Sequence, residues 1–159
     1  MQALAEQILK AFPLHSSAPP IDLNLLYQTF FNEALPKERS RWDEISFDDM
    51  NHGNFGGLLS VMGNPSLAYW TPAWLTLSAQ HTMAVPVAIS SLASCLAPAF
   101  SRHIEGQNGV EGRVSLFNRD QRLAIAATGA SLAGNQAVIA FFREDIGASM
   151  NRAWSEFAR

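Results

Sequence analysis

The sequence predicts an all-α protein, one compact bundle of about six to seven helices, and three observations carry that prediction. Apolar residues recur at helical spacing in several separate segments. No segment shows the sustained apolar–polar alternation of a half-buried strand. Prolines and glycines fall largely between the periodic runs, where helices must stop and start. With 159 residues, 48% of them hydrophobic, the chain fits one domain over 1–159.

The elements follow in order. Leu4, Ile8, Leu9 and Phe12 share one helical face, and Pro13 ends that first helix. Pro19 and Pro20 open a second, in which Ile21, Leu25, Leu26, Phe30 and Phe31 lead to Leu35 before Pro36. Ser46 caps a short helix whose first turn holds Asp48 and Asp49. Leu58 to Met62 suits another short turn of helix. Asn64-Pro65 then reads as a cap followed by proline in the first turn, and Pro72 should kink or break the helix that runs to Gln80. Pro86 starts a helix ending before Pro98. Residues 102–114 hold three glycines and no apolar period, which predicts an exposed flexible loop. Asn118 to Gln121 forms a capping box opening a helix to about Ala133. Gly134-Asn135 separates it from a last helix marked by Val138, Phe141, Phe142, Ile146, Met150, Trp154 and Phe157, and the two should form an antiparallel hairpin. Alanines at 124, 126, 127, 130 and 133 would let a neighbouring helix come close.

Charge marks the interior. Of the 11 basic and 14 acidic side chains, none lies in 51–101 or in 123–142. These uncharged stretches are expected to be buried, either within one chain or across a homodimer seam. Residues 82–100 and 123–142 approach the length of a membrane-spanning helix, but serine, threonine, asparagine and glutamine interrupt them and alanine supplies much of their apolar count. No membrane span is therefore expected. A net charge of −3 excludes a nucleic-acid binder built on bulk charge. The single cysteine, Cys95, allows neither an internal disulfide nor a thiolate metal cluster, and residues 1–12 lack the pattern of a signal peptide. A reducing, cytoplasmic setting is expected.

Chemistry-bearing patterns are few. No nucleophile elbow, phosphate-binding loop or dinucleotide fingerprint is present, so no cofactor is expected. Asp48, Asp49 and His52 could form an acid–base pair or offer metal ligands, which makes a metal-dependent or acid–base enzyme the alternative reading. Their ordinary role is an acidic helix start closed by a histidine. Tyr69, Trp70 and Trp74 surround Pro72, and large aromatics of this kind serve either the core or a binding hot spot. Before them runs an acidic strip, Glu38, Asp43, Glu44, Asp48 and Asp49, adjoining Trp42.

Trp42-Asp43-Glu44-Ile45, Tyr69-Trp70-Thr71-Pro72-Ala73-Trp74-Leu75 and Leu116-Phe117-Asn118-Arg119-Asp120-Gln121 together resemble a family of small bacterial helical proteins catalogued as a domain of unknown function. That resemblance implies a helical domain over residues 20–133 and no assigned activity. In type, a small acidic protein without catalytic motifs also looks like an immunity protein that blocks a toxin. The expected function is then non-enzymatic protein binding, with Trp42, Asp43, Glu44, Asp48, Asp49, Tyr69, Trp70 and Trp74 facing a protein partner such as a basic toxin domain.

Overall fold

Several helix boundaries in this chain follow local capping chemistry. A computed structural model describes residues 2–14, 19, 21–96, 114–142 and 154–159, and among these no strand occurs. Helix α1 (Gln2–Ala11) buries Ala5, Ile8 and Ala11. Helix α2 (Leu23–Phe31) begins at Asp22, whose carboxylate accepts from the amides of Asn24 at 2.8 Å and Leu25 at 3.2 Å. It stops four residues short of the expected Leu35. Asn32 takes the left-handed conformation, φ 55°, and its amide donates back to the Gln28 carbonyl. The chain then folds back, and the Leu35 amide bonds the Asn24 side chain at 2.9 Å.

A 3-10 turn at Trp42–Glu44 precedes α3 (Phe47–Met50), which Ser46 caps as expected. A second 3-10 segment, Phe55–Val61, leads to α4 (Asn64–His81). Gly63, not Asn64, occupies the cap position, and Asn64 and Pro65 lie inside the first turn. Of the kink or break expected at Pro72, the break does not occur: α4 runs as one helix across it. Tertiary packing outweighs the lost backbone bond here, because eleven α4 residues, including Trp70, Pro72 and Trp74, are buried.

Helix α5 (Pro86–Leu96) packs on the Phe55–Val61 segment. Helix α6 (Arg119–Ala133) opens with the expected reciprocal box, in which the Gln121 amide donates to Asn118 and the Asn118 amide to Gln121, both at 3.0 Å. Helix α7 (Gln136–Phe142) follows after Asn135, whose side chain accepts from the Ala137 amide at 2.9 Å. Of the predicted last helix, Ile146 and Met150 lie outside the described residues, as do 102–113 of the predicted loop.

Helix α4 is central. It contacts α1, α5, α6, the two 3-10 segments before it and the 3-10 turn Thr82–Ala84 that follows it. One hydrophobic cluster extends from Ile8 to Phe157 and includes Trp70, Trp74 and Trp154, each fully buried. Trp74 stacks on Phe55 with ring centres 5.6 Å apart and donates its indole N–H to the Gly56 carbonyl at 2.7 Å. Helix α6 receives the C-terminal turn, where Trp154 lies against Gly129. No described helix is long and apolar enough to cross a membrane.

Candidate functional site

Pro13 turns the chain away at the end of α1, and beside it a cleft of about 240 Å3 opens on the surface. Pro65, Ala68, Tyr69 and Pro72 form its α4 wall. Ala68 and Tyr69 each lie three or four residues from both Pro65 and Pro72, so the four stack along one helical face. Trp42 closes the cleft from the 3-10 turn, Leu116 from the segment before α6, and Gln121 from the first turn of α6. The capping box fixes Gln121: its side-chain oxygen accepts from the Asn118 amide, which leaves its amide nitrogen without a partner among the described residues.

Ser40 ties the cleft to the acidic turn. Its carbonyl accepts from the Tyr69 hydroxyl at 3.0 Å, while its amide donates to the Glu44 carboxylate at 2.9 Å. The Arg41 amide also reaches Glu44, at 3.1 Å, and the Arg41 guanidinium grips Asp43 at 2.8 and 3.0 Å. The Ser40 and Arg41 amides hold the Glu44 carboxyl below its ordinary value. Burial pushes the Tyr69 phenol up, and the nearby Glu44 and Asp43 carboxylates push it further, against a smaller opposing effect of Arg41.

Three of the predicted site residues, Trp42, Asp43 and Glu44, therefore share one turn at the cleft, and Tyr69 joins them from α4. The others lie elsewhere. Trp70 and Trp74 are fully buried, and no partner can touch them without opening the core. Asp49 points inward, held by Arg39 at 2.6 and 3.1 Å and by the Ser46 amide and hydroxyl, both at 2.8 Å. Asp48 is exposed on α3, and His52 is exposed beyond it with its ring 6.2 Å from that of Tyr27. Because Asp49 is committed to Arg39 and Ser46, an acid–base pair there would rest on Asp48 and His52 alone. Among the described residues no group of three or more His, Cys, Asp or Glu could hold a metal ion.

No family model, curated protein or solved structure matches the chain. The three motif-bearing stretches that suggested a resemblance nevertheless meet at one place, since each contributes to the cleft. Sequence reasoning had no access to Pro13, Pro65, Ala68 and Leu116 as cleft residues, because each is an ordinary apolar residue until the fold assembles the wall. Arg39 was equally hidden. It lies ten residues before its partner, outside any helix whose period would pair them.

Proposed function

We propose that this chain is a non-enzymatic protein-binding protein, of the kind that neutralises a bacterial toxin by direct contact, and that it meets its partner at the cleft and the acidic turn beside it. The observation that carries this reading is the shape and chemistry of that site: an apolar floor made by Trp42, Tyr69 and Pro72, with Asp43 and Glu44 at its edge. At about 240 Å3 the cleft falls below the roughly 300–1,000 Å3 of sites that enclose a small-molecule substrate or cofactor. It suits an anchoring side chain from another protein, and aromatic residues are the usual receivers of such anchors. The exposed carboxylates, with Asp48 nearby in sequence, would speed encounter with a basic partner such as a toxin domain. A cytoplasmic meeting place fits the lone Cys95.

The test is co-expression of the tagged chain with the products of its neighbouring genes, followed by purification and mass spectrometry. The expected result is a stoichiometric partner, toxic when expressed alone, that is lost from an Asp43→Lys, Asp48→Lys double variant with unchanged helical circular dichroism. A partner held equally well by the variant removes the acidic residues from the reading. Recovery of the chain alone in every co-expression removes the reading itself.

A further inference from the structure

Pro72 leaves a gap in the backbone bonding of α4, and it lines the cleft. Proline has no N–H, so the Ala68 carbonyl, one turn earlier, lacks the donor that a helix would supply, and both residues line the cleft. From α6, Gln121 brings the opposite property to the same cleft: its oxygen is taken by the Asn118 amide, and its two amide N–H groups remain to donate. One acceptor and one donor bordering an apolar hollow match the C=O and N–H of a peptide backbone. The hollow admits one apolar side chain rather than a whole ligand. At its edge two carboxylates, Asp43 and Glu44, face a single guanidinium, Arg41, so the turn carries one uncompensated negative charge.

We infer that the cleft takes an extended peptide segment of a protein partner: an apolar anchor in the hollow, a backbone N–H on the Ala68 carbonyl, a backbone C=O on Gln121, and a flanking lysine or arginine at Glu44. This inference rests on the protein-binding reading above and names the chemistry of what is bound. It assigns Pro72 a role in recognition, through the carbonyl whose usual helical donor it removes. It also makes Gln121 both a helix cap and a ligand donor.

The experiment pans a phage-displayed library of random linear peptides on the full chain and, in parallel, on the Ala68→Phe variant, whose added ring fills the hollow. The selected consensus is expected to place a basic residue beside an apolar one. The synthetic consensus peptide should shift the Trp42 indole signal in the proton–nitrogen spectrum and leave Trp70, Trp74 and Trp154 in place. Affinity should fall at least about tenfold in Ala68→Phe and in Gln121→Met, and on replacing the peptide's basic residue with glutamate. Gln121→Met keeps the Asn118 cap on the residue 121 amide, so it stands in if Ala68→Phe fails to fold. Failure to enrich a consensus, a consensus without a basic residue, or equal affinity in both variants overturns the inference. A co-expressed partner that binds wild type and Ala68→Phe equally would overturn it while leaving the protein-binding reading intact.

Discussion

Asp49 shows how one side chain can organise a turn. Its two oxygens accept from Arg39, and one of them also takes the Ser46 amide and hydroxyl, while the Asp49 amide donates back to Ser46. Both charged side chains are nearly buried, at 9% and 8% exposure. Removing one partner strands the other, which costs about 3 kcal/mol or more. Burial alone would raise the Asp49 carboxyl, but the Ser46 amide, the Arg39 guanidinium and the Ser46 hydroxyl together hold it below its ordinary value. A depressed folded value means that the stabilisation is complete above the unfolded value near about 3.9 and disappears as pH falls through the folded one. The melting temperatures of wild type and Asp49→Asn should therefore differ by a constant amount down to about pH 5 and converge below about pH 4. A gap unchanged in acid would detach Asp49 from the stability of this turn. Two glycines of α6 and its end make a second prediction. A Cβ on Gly129 would collide with the Trp154 ring and lie 2.8 Å from the Trp154 Cβ, whereas one on Gly134 would meet nothing nearer than 3.5 Å. Gly129→Ala should lower the urea midpoint despite the roughly 1 kcal/mol that alanine adds in a helix, because overpacking costs about 1–3 kcal/mol. Gly134→Ala should change stability by less than about 0.5 kcal/mol. Equal midpoints for the two variants would contradict the close seat of Trp154. Of the two, only Gly134 had a role legible in the sequence, as a helix separator. Its φ of −82° is open to any residue, and the required one, Gly129, is hidden among alanines because the ring that needs it is 25 residues away.

At the scale of elements, the sequence was most legible where the physics is local. Ser46 and Asn118 each bond three residues ahead, so their helices could be placed from the cap alone. The end of α2 uses a signal of the same reach, an asparagine in the left-handed conformation, but the continuing apolar run to Leu35 masked it. Pro72 is the opposite case. The local rule says that a proline breaks a helix, and α4 continues because its flanks are buried between α1, α5 and α6. That arrangement predicts the effect of Pro72→Ala. Restoring the amide returns at most about 3 kcal/mol to the helix. Losing two ring methylenes from a buried site removes about 1.6 kcal/mol. The variant should be more stable by about 1 kcal/mol in urea, with unchanged helical content. A less stable variant would mean that α4 is built around the ring itself. The candidate site was legible only in pieces: Trp42, Tyr69 and Gln121 each belong to a recognisable motif, and no sequence period joins residues 42, 69 and 121.

At the scale of the whole molecule, the uncharged stretches point to the core correctly, since residues of 51–96 and of α6 supply much of the central cluster. What closes that core is the short C-terminal turn. Trp154 and Phe157 are at most 1% exposed; Trp154 lies on Gly129, and Phe157 meets the Phe117 ring at 6.1 Å, which in turn meets Phe12 of the α1 end at 6.2 Å. The last few residues thus join α1, α6 and the segment before α6. Truncating a buried phenylalanine or tryptophan to alanine costs about 3–5 kcal/mol. Two such losses approach the entire stability of a domain this size, about 5–15 kcal/mol. A chain lacking residues 154–159 should therefore keep helical far-ultraviolet dichroism while losing near-ultraviolet signal and its cooperative urea transition. The single change Trp154→Ala should retain the transition at a clearly lower midpoint. If the shortened chain unfolded as sharply and as late as the full one, the C-terminal turn would be an attachment to the core and not its closing piece, and the cleft beside Phe12 and Leu116 would have to be held open by α1 and α6 alone.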